Sequence, residues 1–541
     1  MAECIHPLLG TIRGRRTDNV VQFLGIPYAT IKQRLGPPIP IESPRNGNEY
    51  VVDATAYGPD LVGAGSCTDE QDLIQHRLPY DPLIQSVLDV LRLNITVPVT
   101  KKGLQRWPVM VFVHGGNFAG GSPVWPQNDL ARFVQRSQTL GMPLIGVSIS
   151  YRVGPAGFLT SEELRHHGLT GNNGLRDQAA ALLWLRNHLE GFWGDPDNIT
   201  LVGQFAGAVS GMLHLASNVP LFKRLACLGG QFLAVRPLPA EAHEEIYTRA
   251  VPKLGLENLS PSERVRRFEG LSREELLDIS FLPSCPIIDG KVCTAAPSFA
   301  SLRNGSIPRD LDNGWCSELF IGDCEFEASI LARALDHRRE TVVITRFVDK
   351  LRAAIPVTQH HLLDEIVDAY GLGKHVEEGE EEGTHENRAR NGFLCLIHDI
   401  MFYAPAEIIA SAWPAGRSYL YHFNEPNPWP GRWQGHASHL TDLAFLWQNY
   451  EEALAPASRQ VSRHFSADLI SFTNGRAPWT AYRAAESSPP MARIYGPSDN
   501  GSVAGVAVAR SGACGRRQSI WKFIEEIGAD LLYDVVMGSL L

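Results

Sequence analysis

The chain has 541 residues, 44% of them hydrophobic and 20% charged, an ordinary globular composition that supplies a large core and excludes disorder as a whole-chain description. Its net charge of −10 opposes any sequence-independent grip on nucleic acid or an anionic membrane. No run approaches the roughly 18 uninterrupted apolar residues of a membrane span, so a soluble, mildly acidic protein is expected.

The N-terminus, MAECIHPLLGTIRGRRTDNVVQFLGIPYA, places His6, Pro7 and Gly10 where a secretory leader needs an unbroken apolar block. Nine cysteines (4, 67, 227, 285, 293, 316, 324, 395 and 514) form no C-x-x-C pair and no metal-ligand spacing. Reduced thiols in the cytoplasm, with no metal and no cofactor, are the expectation. The Asn-x-Ser/Thr triplets at Asn94, Asn198, Asn304 and Asn500 are then accidental, because an acceptor triplet means nothing without secretion. Residues 108–113 and 143–151 are short runs rich in β-branched residues, each followed by Gly or Pro, and predict buried strands. Residues 174–190 carry Leu175, Ala179, Leu182, Leu183 and Leu185 at helical spacing; 199–202 predicts another strand and 206–216 a helix directly after it. Strand and helix alternating in this way imply a parallel sheet covered on both faces. Residues 240–280 and 328–372 read as mainly helical. The stretch 377–386, with six glutamates and two glycines, predicts a solvated acidic loop within 375–390. A final amphipathic helix within 516–541 offers Trp521, Ile524, Leu531, Leu532 and Val535 for packing.

Several motifs share this frame: FLGIPYA at 23–29, HGGNF at 114–118, YRVGPAGF at 151–158, GNNGLRDQ at 171–178 and WGDPDNITLVG at 193–203. The series resembles the type-B carboxylesterase/lipase family, which includes cholinesterases, fungal lipases and the non-enzymatic neuroligins, and its wording is nearest to intracellular fungal members. The resemblance runs from about residue 6 to 535 and is most specific over 109–210. It implies an α/β-hydrolase fold: one domain over 1–541, a central mostly parallel sheet flanked by helices, and helical cap insertions over a gorge. It also implies that Arg152 and Asp177 form a buried ion pair of the scaffold. The family's N-terminal disulfide would pair a Cys near 67 with the position that here is Val90, so that bridge is not expected.

In that family the nucleophile is the Ser of G-x-S-x-G on a tight strand-to-helix turn. Here the turn reads Gly203-Gln204-Phe205-Ala206-Gly207. The glycine frame remains, but Phe205 has no oxygen. By resemblance, IGDCEFEA at 321–328 supplies the triad acid, its spacing selecting Glu327 over Glu325, and GHASHLTDLAFL at 435–446 supplies His439, with His436 as the competing register. A carboxylate on one ring nitrogen fixes the imidazole tautomer and leaves the other nitrogen as a base. The oxyanion donors implied are the N–H groups of Gly116, Asn117 and Ala206, with Asn117 standing where the family usually has a third Gly; its side chain either crowds the hole or adds an amide donor. Three functions stay open. One is a non-hydrolytic enzyme performing cyclisation, elimination or aldol-type chemistry on a small apolar carbonyl or ester-like compound in secondary metabolism. The second is an inactive binding or scaffold protein. The third is ester hydrolysis by His439-activated water.

Overall fold

The computed structural model describes residues 2–17, 19–41, 51–99, 106–303, 315–336, 340–373, 384–414, 416–485 and 487–540. Its sheet is built from β1 (Ala2–His6), β2 (Gly10–Thr17), β3 (Val20–Pro27), β4 (Val51–Ala54), β5 (Arg92–Pro98), β6 (Trp107–Val113), β7 (Ile145–Ile149), β8 (Gly194–Gln204), β9 (Arg224–Leu228), β10 (Glu318–Cys324), β11 (Ser418–Phe423), β12 (Met491–Tyr495) and β13 (Ala504–Val508). The order across the sheet is β1-β2-β3-β5-β7-β6-β8-β9-β10-β11-β12-β13, with β4 on β2. From β7 through β12 every neighbour pair is parallel; the N-terminal strands and β13 add antiparallel edges. The chain has the α/β-hydrolase fold.

The central strands carry almost no alternation because both faces are covered. In β7, β9 and β11 every residue is buried, as continuous Val/Ile/Leu-rich runs require between helical layers. Two large apolar clusters, one on each side of the sheet, share Val111 and Phe112 of β6 between them. The helix α1 (Asn173–His188) covers one face, and Asp177 on it meets Arg152 at 2.7 Å with both side chains buried. Arg152 also donates to the Arg34 and Gly36 carbonyls, so the ion pair clamps an N-terminal loop onto the sheet. The helix α2 (Ala206–His214), AGAVSGMLH, is buried on every side. Its small residues allow that closeness: a Cβ at Gly211 would sit 2.6 Å from the Leu225 side chain on β9.

Helical insertions fill the connections β9–β10 and β10–β11. The first brings Ala240–Lys253, Pro261–Glu269 and Arg273–Asp278, which gather a separate apolar cluster around Phe268 and Leu271. The second brings Glu340–Ala354, His360–Ala369 and a long run, Arg388–Ala412. That run is apolar enough to cross a membrane by composition, yet 94% of its apolar window is buried inside the fold. It is a core helix.

One expected boundary moves and another holds. The acidic stretch 375–390 gives way at Thr384 to the helix Thr384–His398, and residues 374–383 lie outside the described residues. The terminal helix begins at Ser519, inside the expected 516–541, and just before it Arg516 turns inward, donating to Asp323 at 2.8 Å in a fully buried pair. Beyond it, Trp521, Ile524, Leu532 and Val535 are buried as their spacing required. None of the nine cysteines is bonded to another; Cys67 reaches the Gln127 side-chain oxygen and Val90 is buried.

Candidate active site

Phe205, Glu327 and His439 all follow the C-terminal ends of parallel strands, where open α/β sheets place their ligands. Phe205 is the residue between β8 and α2, with φ 46° and ψ −107°. A positive φ on a bulky residue persists only where the surroundings impose it, at about 1–3 kcal/mol. Here they do. A Cβ at Gly203 would overlap the Gly207 carbonyl, one at Gly207 would overlap the Val113 carbonyl, and one at Gly230 would lie 2.6 Å from the Phe205 Cα. The Phe205 N–H completes the turn by donating to the Leu228 carbonyl at 2.9 Å. The turn therefore forms around a side chain that carries no hydroxyl. The Phe205 ring is 5% exposed, stands edge-on to His439 at 5.2 Å and stacks with Phe402 at 6.2 Å.

Glu327 and His439 come from two loops laced together. The Phe326 N–H donates to the Ala437 carbonyl at 2.9 Å, and the His439 N–H donates to Ser329 Oγ at 3.0 Å. Glu327 is fully buried; one carboxylate oxygen accepts the Cys324 N–H at 2.8 Å and the other pairs with His439 Nδ1. A Cβ on Gly229, at φ 53°, would lie 2.5 Å from that carboxylate, so glycine is required there. His436 is exposed and Glu325 lies outside the pair. The geometry thus brings Glu327 and His439 together and leaves the competing register out.

The loop after β6 carries three successive positive φ values, 97° at Gly116, 56° at Asn117 and 57° at Phe118. Asn is among the non-glycine residues that best tolerate this left-handed region, which explains how Asn117 stands in a turn suited to Gly. Its side chain is exposed. Among the described residues neither the Gly116 nor the Asn117 N–H finds a partner. Ala206 opens α2, where the first N–H groups have no carbonyl four residues earlier.

Four polar residues surround the pair, of which only Asp442, three residues after His439 in the same motif, stood out in the sequence. Gln204, 3% exposed, brings its side-chain amide nitrogen to 3.2 Å from His439 Nε2; its place directly before Phe205 was the available signal. His398 accepts the Glu327 N–H on Nδ1 at 3.3 Å, and burial holds its pKa down at about 3. Asp399, beside it, is pushed up to about 7 by burial. Asp442 accepts from the Tyr421 hydroxyl at 2.8 Å and the Leu443 N–H at 2.7 Å, and burial, then the Glu327 charge, raise it to about 6. Cys324, Glu327 and Asp442 lie close enough to suggest metal ligation, but the carboxylate oxygens already accept from Cys324, His439, Tyr421 and Leu443. That donor set does not suit a cation.

A model of the carboxylesterase family matches residues 3–492. The chain belongs to the carboxylesterase family. Para-nitrobenzyl esterase of Bacillus subtilis is 35% identical to this carboxylesterase-family chain over 507 residues, 87% of this chain and 91% of that protein. Lipase 2 of Diutina rugosa is 31% identical over 286 residues, 49% of this chain and 50% of the lipase, so the chain spans about half the length of that relative. Among solved structures, a carboxylesterase of Geobacillus stearothermophilus superposes with a TM-score of 0.71 at 23% identity, over 98% of this chain and 100% of that one. At that identity the likeness is one of fold.

Proposed function

We propose that this carboxylesterase-family protein is a non-hydrolytic acid/base enzyme acting on a small, largely apolar carbonyl compound by cyclisation, elimination or aldol-type chemistry, as a step in secondary metabolism. The observation that carries this is the intact, buried Glu327–His439 pair beside a phenyl ring at the elbow. His439 serves as the base, and Glu327 holds its far nitrogen in the protonated tautomer. The unpaired N–H groups of Gly116 and Asn117, with that of Ala206, receive the negative charge that develops on the carbonyl oxygen. Phe205 and Phe402 form an aromatic wall.

Ordinary ester hydrolysis does not fit. Loss of the nucleophile alone costs about a million-fold in kcat, or about 8 kcal/mol of barrier. A ring at position 205 also fills the space of a tetrahedral carbon. The proposal sets the chemistry in the cytoplasm, in keeping with nine cysteines that bond to no other cysteine.

A second reading, a binding protein without turnover, is favoured by the contact from Gln204 to His439 Nε2 and by the 3% exposure of His439. Metabolite profiling of a host carrying His439→Ala, with the level of folded protein measured alongside, separates the two. The enzyme reading predicts loss of a product or accumulation of its precursor. An unchanged profile at normal protein level leaves the binding reading.

A further inference from the structure

Phe205 removes not only a nucleophile but also the hydroxyl that would hydrogen-bond the histidine. In this chain another side chain takes that place. Because Nδ1 of His439 faces the Glu327 carboxylate, Nδ1 carries the ring proton and Nε2 presents its lone pair. The Gln204 amide nitrogen, 3.2 Å away, donates to that lone pair. Space for the amide comes from Gly115: a Cβ there would run into Gln204 Oε1 and lie 3.0 Å from its Cδ. The Phe205 ring edge closes the remaining side at 5.2 Å. With Gln204 and His439 each 3% exposed, every polar atom of the imidazole is satisfied within the protein.

We propose that Gln204 is the resting partner of the His439 base, a positioning residue, and that the site takes ligands bearing a hydroxyl donor together with a carbonyl: phenolic or enolic carbonyl compounds of small size. This rests on the same acid/base reading of His439 and adds the ligand class. A plain ester or ketone offers only acceptors. It can engage the N–H groups of Gly116, Asn117 and Ala206, but it gives Nε2 nothing in exchange for the Gln204 amide. A phenol or enol O–H replaces that amide as donor to Nε2, and the released amide is free to donate to the ligand oxygen. Displacement then leaves no buried polar group unpaired, whereas an acceptor-only ligand that displaced the amide would leave one so. The aromatic surfaces of Phe205 and Phe402 suit a flat apolar body beside these groups.

The test is binding of 4-hydroxyacetophenone and 4-methoxyacetophenone to the full-length protein, two ketones that differ in the donor. Calorimetry gives the affinities, and NMR follows the Gln204 side-chain amide, assigned with Gln204→Leu, and the His439 ring nitrogens, assigned with His439→Phe. The expected result is about tenfold tighter binding of the hydroxy compound, with the Gln204 amide and His439 Nε2 signals both shifting on saturation. In His439→Phe the preference falls to within about twofold. Equal affinities, no binding of the hydroxy compound, or binding that leaves the Gln204 amide signal unmoved would overturn the assignment. These outcomes need no catalysis. A clear hydroxyl preference without turnover of any such compound would sink the enzyme reading and leave Gln204 as the partner of His439.

Discussion

The two halves of the site are preserved at different levels. The elbow half has a strained backbone and an unreactive side chain: Phe205, which offers no nucleophilic atom, holds φ 46° between β8 and α2. The acid/base half keeps its side chains, with Glu327 and His439 paired and buried. The contrast shows what enforces each. The elbow strain is imposed by close packing of strand, helix and the Gly229–Gly230 turn, so the fold maintains it whatever residue stands at 205. No comparable steric demand calls for an imidazole at 439; a buried carboxylate paired with a buried histidine is an electrostatic arrangement that an apolar pair of similar volume replaces at little or no cost in stability. Its presence is the argument for chemistry.

Reactivity gives the largest expected difference. The wild-type chain is expected to resist labelling by fluorophosphonate probes and to hydrolyse short p-nitrophenyl esters about a million-fold more slowly than a triad enzyme. Phe205→Ser restores at most weak labelling, because Gln204 already occupies His439 Nε2. Stoichiometric labelling of the wild type at any serine, read by mass spectrometry, would erase the contrast between the halves.

Stability comes next. Gly230→Val is expected to unfold the elbow half or cost more than about 3 kcal/mol, since its Cβ would lie 2.6 Å from the Phe205 Cα. Arg152→Ala, which strands the buried Asp177 carboxylate, is expected to cost about 3–5 kcal/mol by urea denaturation. Neither change replaces Glu327 or His439, and a stable Gly230→Val would show that packing does not enforce the elbow.

A smaller effect sharpens the acid/base half. Asp399 next to His398 has its carboxyl raised to about 7 by burial. The folded state therefore holds a proton that the unfolded chain releases at its ordinary, lower carboxyl pKa. Stability is highest below the unfolded value and falls as pH rises toward 7, levelling above it. Asp399→Asn keeps an acceptor for the Tyr370 hydroxyl, which donates at 2.7 Å, and removes the titration. Unfolding free energies from urea denaturation between pH 5 and pH 8 are expected to decline less in the variant, by about 2 kcal/mol. Parallel declines would remove Asp399 from the account. The smallest change is Asn117→Gly, exposed and already left-handed, expected to shift stability by less than about 1 kcal/mol.

Much of this was legible in the chain itself. The strands at 107–113 and 145–149 follow from β-branched runs that end at Gly or Pro, the run 199–202 marks only the later part of the strand 194–204, and the Glu327–His439 pair was reached through the family resemblance. What escaped was contact between elements distant in sequence. Gln204 meets His439 across 235 positions, and His398 meets Glu327 across 71; no local periodicity encodes either. Arg516 meets Asp323 across 193 positions in a buried pair that its neighbours in sequence do not announce.

Proton exchange tests the acid/base account most directly. Small apolar enolisable ketones that bind the protein are incubated in D2O with wild type and with His439→Ala, and deuterium entry beside the carbonyl is followed by NMR. The account predicts exchange well above the buffer rate with wild type and a return to the buffer rate with His439→Ala, at equal folded protein. Exchange by the wild type no faster than buffer, for ketones shown to bind, or unchanged exchange in His439→Ala would contradict it.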